Sequence, residues 1–312
     1  MPKISIIVPV HNTADLLPRC VNSLTAQKLS DIEIILVENC STDNSLEVCK
    51  TFAEGDNRIK VITIEQGDPS IARNEGVKVA TGDYIGFVDS DDFVSPDMYN
   101  DMYSLAIQHD LGLVCCTFHM AYDDGSTKYR LPNDGSIRIL TAKEITILNL
   151  NDKISKVFPT ILAKRELFNG FTIPSAMYFE DRASTHLLMA RSGRAAAINR
   201  AYYSYYSRQD SRMHVQHDNF RRMCDFIRAT YWRLEFIRDS ELFTDKERIE
   251  VSSRCAEQYL RKLRHLLRLA DNAKSRAIAK EWCSKIDEII PQGVRLPLRA
   301  RIIRWYIEKF VI

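Results

Sequence analysis

Tyr84-Ile-Gly-Phe-Val-Asp-Ser-Asp-Asp-Phe93 decides how this chain folds. Its short apolar run, Ile85 to Val88, lies between Gly82 and Pro96 and stops abruptly at three carboxylates, Asp89, Asp91 and Asp92. A run of that length between turn residues predicts a buried strand. Carboxylates just past a strand end lie where open α/β sheets take their ligands. Clustered carboxylates repel one another unless a cation joins them, and hard oxygen ligands select Mg²⁺ or Mn²⁺. Such an ion commonly arrives with a phosphate. For this stretch alone the alternative is an acidic turn leading into the helix that Ser95-Pro96-Asp97 starts.

Working outward, the first half alternates strands and helices. Ile4-Ser-Ile-Ile-Val8 predicts a strand, then a turn at His11-Asn-Thr and a helix to about Gln27 with Pro18 in its first turn. Asp31 to Val37 is a second strand, and Ser41-Thr-Asp-Asn-Ser predicts a helix start capped by Asp43 or Ser41. Lys60 to Ile64 is a third strand, followed by a helix from Pro69 to about Ala80 and the strand Tyr84 to Val88. Such a series implies a mainly parallel, doubly wound α/β sheet. Further strands are expected at Leu111 to Tyr122, Lys156 to Ala163 and Ala195 to Tyr206. Helices are expected at Thr141 to Leu150 and Asp181 to Ala190, and an all-helical region from about His214. The expected division is 1–213 and 214–312.

At 312 residues and 45% apolar content the chain suits a globular protein with a sizeable core. The apolar run at Ile4 to Val10 breaks at Pro9, so neither a membrane span nor a signal segment is expected, and the compartment expected is the cytoplasm. Eight cysteines show no Cys-x-x-Cys spacing, which argues against a disulfide framework or a zinc site. The net charge of +2 conceals a split. Residues 1–150 carry 12 Lys and Arg against 22 Asp and Glu; residues 151–312 carry 31 against 19. An acidic half beside a basic half suggests two jobs, one of them at an anionic surface.

Four patches at strand ends, taken together, resemble the family 2 glycosyltransferases, inverting enzymes of the GT-A fold that use nucleotide-sugar donors. They are Val8-Pro-Val-His-Asn12, Val37-Glu-Asn-Cys-Ser-Thr-Asp-Asn-Ser45, Ser70-Ile-Ala-Arg-Asn74 with Ala80-Thr-Gly-Asp-Tyr84, and Val88-Asp-Ser-Asp-Asp92. Phe179-Glu-Asp181 and Tyr205-Tyr-Ser-Arg208 extend the match. The resemblance implies a GT-A-type, Rossmann-like sheet flanked by helices, here with an α-helical C-terminal extension.

It also implies roles. Pro9 and His11 border the nucleobase, with His11 in place of the family's usual aromatic; a plain loop histidine is the alternative. Glu38 and Asn39 stand where the family has two carboxylates, one of which reads the base edge. Asn39 both accepts and donates, so uracil is favoured and cytosine stays open. Cys40 replaces the family's Gly, which predicts a turn without a positive φ. Arg73 is expected at the diphosphate or ribose, where guanidinium geometry suits phosphate oxygens. Asp89, with Ser90 between the carboxylates, contacts ribose or metal-bound water, and Asp91 holds Mg²⁺ or Mn²⁺. Asp181 is expected as the general base, with Glu180 as runner-up. Lys156 and Lys164-Arg165 are expected to be mainly structural. Arg208, Ser211 and His214 resemble a segment that closes over the donor phosphates.

The partners implied are a nucleoside-diphosphate sugar and a glycan or lipid-linked acceptor. A nucleotidyltransferase favours a Gly-rich loop with a basic residue after the first strand, and His11-Asn-Thr-Ala has none. A nucleic-acid binder would interleave aromatic and basic modules, which are missing. The helix-like stretches 259–269 and 299–312 combine basic and apolar residues, with Ile302, Ile303, Tyr306 and Phe310 as an expected stripe. They suit the anionic inner face of a membrane, or equally packing within the fold.

Overall fold

The computed structural model describes residues 1–207, 219–270, 272–291 and 293–310. The chain divides into two compact units, Met1–Ala176 with Leu187–Ser211, and Met177–His186 with Arg212–Ile312. The expected boundary at 213/214 lies outside the described residues. The short segment Met177–His186 keeps company with the C-terminal helices.

The first unit is built on one sheet. Its parallel part comprises β1 (Ile4–Val10), β2 (Ile32–Asn39), β3 (Ile59–Ile64) and β4 (Tyr84–Phe87), in the order β3-β2-β1-β4. The crossovers are α1 (Leu17–Thr25), α2 (Ser45–Gly55) and α3 (Pro69–Val79). Register puts Ile4 beside both Ile32 and Tyr84. The chain then adds β5 (Phe93–Val94), α4 (Met98–Gln108), β6 (Leu113–Ala121), β7 (Thr127–Tyr129), β8 (Ile137–Thr141), α5 (Ala142–Leu150) and β9 (Ile161–Lys164). After α6 (Glu180–Arg191) comes the long β10 (Arg194–Tyr206). β9 inserts antiparallel between β4 and β6, β6 runs parallel to β10, and β5 closes that path antiparallel to β10.

Both faces of the sheet are covered, as a parallel sheet requires. Ile4, Ile6, Val8 and Val10 enter one core cluster while Ile7, Ile35, Val37, Ile85 and Phe87 enter the other. This is the alternation a pleated strand imposes. Gly76 lets α3 approach β1 closely, since a Cβ there would lie 2.4 Å from the Ile7 side chain. That approach packs α3 directly on β1.

Three local expectations need correction. Lys156 to Ala163 is only partly a strand: Phe158–Thr160 forms a tight 3-10 turn and pairing starts at Ile161, because Pro159 has no N–H to give a ladder. The helix α2 starts at Ser45 with Asn44 as an N-cap that makes no side-chain bond. Asp43 does supply an acceptor there, taking the N–H of Ser45, the first helical residue, as well as that of Ala14, whereas Ser41 accepts from the Asn12 N–H and leaves the helix start alone. Cys40 has φ 58°, in the left-handed region, so the turn does carry a positive φ without glycine. The Glu38 carboxylate holds it there by accepting the Ser41 N–H at 2.6 Å.

The second unit holds α7 (Asn219–Asp239), α8 (Asp245–Leu269), α9 (Ala273–Ser284), α10 (Ile286–Ile289) and α11 (Leu298–Phe310). A Thr244/Glu247 capping box opens α8, and Arg248 donates to the carbonyls of Ile237 (2.7 Å) and Ser240 (3.1 Å) that end α7. The apolar stripe expected on α11 splits: Ala300, Ile303 and Ile307 are buried, while Ile302 and Tyr306 are exposed. Among the described residues no helix is long and apolar enough to cross a membrane.

Candidate active site

The C-terminal ends of β1, β2 and β4 converge with the start of α3. The loops after β1 and β2 are laced together. Asn12, at φ 51°, accepts the Thr42 N–H at 2.7 Å, and the Thr13 N–H meets the Ser45 hydroxyl at 2.9 Å. His11 Nδ1 lies 2.7 Å from the Asn39 carbonyl oxygen. A carbonyl only accepts, so Nδ1 carries a proton and donates it. His11 itself is exposed at this rim, whereas Pro9, Glu38 and Asn39 are buried. The Asn39 Oδ1 has no hydrogen-bond partner among the described residues. A buried acceptor without a donor is costly and invites one from a ligand.

Past β4 the carboxylates have separate environments. Asp89 is part-exposed and pairs with Arg73, whose Nη2 reaches its Oδ1 at 2.6 Å from a buried position on α3, one turn past its start. Ser90 is buried and accepts from the Thr13 hydroxyl at 3.0 Å. The Asp91 carbonyl accepts from Arg19 Nη2 at 2.8 Å. That guanidinium lies 3.8 Å from the Tyr206 ring centre and 4.7 Å from that of Phe93. Asp92 is 1% exposed and accepts from the Tyr203 hydroxyl and from the Tyr206 N–H at 2.7 Å. Burial, then the nearby Asp91 and Asp89, push its carboxyl well above the ordinary range despite those bonds. The same Tyr203 hydroxyl accepts the Asp89 N–H at 3.2 Å.

Sequence reading does not single out Arg19, Thr13 or Tyr203. Nothing in their own neighbourhoods marks them; they matter because the loop after β1, α1 and the far end of β10 all reach the 89–92 loop that follows β4. No group of three or more His, Cys, Asp or Glu among the described residues is arranged to hold a metal ion. The Asp89 and Asp91 side chains offer hard oxygen donors that fit Mg²⁺ or Mn²⁺ where phosphate or water fills the remaining positions.

Glu180 and Asp181 sit half-buried in the first turn of α6, in the segment belonging to the second unit. Their carbonyls accept from the Ser184 and Thr185 hydroxyls at 2.7 and 2.9 Å. The chain enters this helix through Ala176 and Phe179, at φ 56° and 64°. Within the second unit the buried Asp225 accepts the Tyr178 N–H at 3.1 Å, and Arg182 donates to Thr230 at 3.2 Å. Lys156 and Lys164 make ion pairs with Asp152 and Asp110. Arg208, Ser211 and His214 lie outside the described residues.

The glycosyl transferase family 2 model matches residues 5–171, more than half the chain. The chain belongs to glycosyl transferase family 2. It is 34% identical over 224 residues to the glycosyltransferase GlyG of Streptococcus pneumoniae, covering 69% of this chain and 74% of GlyG. Among solved structures, S. aureus TarS 1-349 in complex with UDP-GlcNAc superposes with a TM-score of 0.75 at 20% identity, over 94% of this chain and 82% of that one. The mannosyltransferase PcManGT from Pyrobaculum calidifontis, in complex with GDP-Man and Mn²⁺, gives 0.57 at 16% identity, over 99% and 88%. These likenesses carry the GT-A-type fold. The enzyme is a glycosyltransferase.

Proposed function

We propose that this family 2 glycosyltransferase moves a sugar, with inversion, from a UDP-sugar to a hydroxyl of a glycan or lipid-linked acceptor at the inner, anionic face of a membrane. The observation that carries the donor half is the part-exposed Asp89 beside Asp91, just past β4, flanked by the laced loops of β1 and β2. The UDP-GlcNAc bound by TarS and the Mn²⁺ with PcManGT support the same reading.

His11 lays its ring on the base at the rim, Pro9 and Glu38 shape the wall, and the orphaned Asn39 Oδ1 accepts from uracil N3–H. Asp89 and Ser90 orient the ribose and first phosphate, with Arg73 and Arg208 contributing positive charge. Asp91 and Asp89 would hold Mg²⁺ or Mn²⁺. When bound, the ion supplies Lewis-acid charge to the departing diphosphate. Asp181 accepts the acceptor hydroxyl's proton as that oxygen attacks the anomeric carbon, with Glu180 as the alternative base.

The test is to incubate the full chain with UDP-, GDP-, CDP- and dTDP-sugars and glycan acceptors while following nucleoside-diphosphate release. Release from UDP-sugars dependent on Mg²⁺ or Mn²⁺ is expected. Release from none, with acceptor present, would overturn the reading.

A further inference from the structure

The second unit exposes basic and apolar side chains on α8 and α11. On the exposed side of α8, Arg261, Arg264 and Arg268 recur at three- and four-residue spacing with the exposed His265 among them. None of the three arginines has an acidic partner among the described residues, whereas Arg304 is engaged by Glu308 and Asp287. The field is dense: burial first, then Arg261, Arg182 and Arg222, hold the Lys262 ammonium below its ordinary value.

Helix α11 packs on α8, and the Ser253 hydroxyl of α8 donates at 3.4 Å to the Arg295 carbonyl just before α11. Its inner face is Ala300, Ile303 and Ile307. The opposite face is apolar too: Leu298, Ile302, Trp305 and Tyr306, at i, i+4, i+7 and i+8, are 65, 55, 54 and 50% exposed. Exposed Arg299 and Arg301 flank this stripe, and the Lys309 ammonium lies 5.2 Å from the centre of the Trp305 ring. A helix buried through one apolar face seldom keeps a second one in water unless something else covers it.

We propose that α8 and α11 form a docking surface for an anionic lipid bilayer, the arginines of α8 meeting headgroups while the Leu298–Ile302–Trp305–Tyr306 stripe enters the headgroup–acyl boundary. Charge complementarity selects the occupant. Basic residues around an aliphatic and aromatic stripe match an anionic interface, and Lys309 can extend its ammonium to the headgroups while its stem stays apolar. A nucleic acid would use the arginines but leave Leu298 and Ile302 unsatisfied. The inference gives a physical surface to the membrane location in the proposed function and rests on that reading only there. Donor binding does not depend on it.

The experiment is flotation of the full chain with phosphatidylcholine vesicles containing graded phosphatidylglycerol, at low and high salt, with UDP binding measured on every variant. Binding that rises with phosphatidylglycerol and falls with salt is expected. Arg261→Gln, Arg264→Gln and Arg268→Gln together should weaken it on the order of a hundredfold, since each basic residue contributes about 1 kcal/mol. Ile302→Asp should abolish it. Tryptophan quenching by brominated acyl chains should appear in the wild type and be lost in Trp305→Phe. UDP binding should be unchanged in all of them. No flotation at low salt, or flotation indifferent to both sets of substitutions, overturns the docking surface. So does self-association abolished by Ile302→Asp without vesicle binding, which would assign the face to a second copy. Failure of flotation with intact UDP binding removes only this inference; failure of UDP binding in the wild type removes the donor reading.

Discussion

Arg73 and Asp89 form an ion pair between the start of α3 and the end of β4, with 2.6 Å separating Nη2 from Oδ1 and Arg73 almost wholly buried. The residue expected at the phosphates thus also holds the carboxylate expected at the ribose or metal. Arg73→Gln should therefore weaken UDP binding and lower stability together. Leaving one partner of a largely buried pair costs less here than in a dry core, because Asp89 is part-exposed. The expected loss is about 2 kcal/mol, read by urea unfolding. A stable variant with unchanged UDP affinity would contradict this.

Asp181→Asn should leave UDP affinity nearly intact and reduce turnover by roughly two to four orders of magnitude, the usual worth of a general base. Single-turnover kinetics beside calorimetry separate the two effects. Weakened UDP binding at unchanged turnover would move Asp181 out of that role and point to Glu180.

The orphaned Asn39 Oδ1 makes base choice testable. Asn39→Leu should weaken UDP binding roughly ten- to a hundredfold by removing the acceptor for N3–H. Asn39→Asp, which only accepts, should keep UDP and discriminate further against CDP. Competition titrations with the two nucleotides check both, and a preference for CDP in the wild type would reverse the assignment.

Glu33 offers a pH signature away from the site. Burial alone would raise its pKa, but the Lys60 ammonium, the Ser5 and Thr81 hydroxyls and the Thr81 N–H overcome that and lower it from 4.5 to about 2. The folded value lies below the unfolded one. Its stabilisation is therefore complete above pH 4.5 and lost as pH falls towards 2. That contribution is about 3 kcal/mol. Glu33→Gln should remove it at neutral pH and flatten the acid limb of stability between those values, as followed by denaturant melts.

Cys40→Gly should raise stability by about 1 kcal/mol, since only glycine holds φ near 58° without steric cost. Thermal unfolding reads it. A destabilised variant would mean that the thiol contributes packing despite its exposure.

Much of this is legible in the sequence because β1, β2 and β4 announce themselves as apolar runs closed by turn residues, and their ends are where the expected donor residues fall. The helix expected from Thr141 to Leu150 forms at Ala142–Leu150, opened by a Thr141/Glu144 capping box. What is not legible depends on contacts distant in sequence. Tyr203 reaches Asp89 and Asp92 across more than a hundred residues, and no local pattern encodes that. Cys40 departs from expectation because residue type alone does not fix its φ, whereas the bond from Ser41 to Glu38 does. On α11, periodicity reveals an apolar helix but does not say which of its two apolar faces the fold buries.

The most direct test of the donor reading is calorimetric titration of UDP into the wild type and Asp91→Ala, each with and without Mn²⁺, beside a single-stranded RNA control. Mn²⁺-dependent UDP binding in the wild type, loss of that dependence in Asp91→Ala, and no comparable RNA binding are expected. Equal, metal-independent binding of UDP and RNA by both proteins would contradict the donor reading.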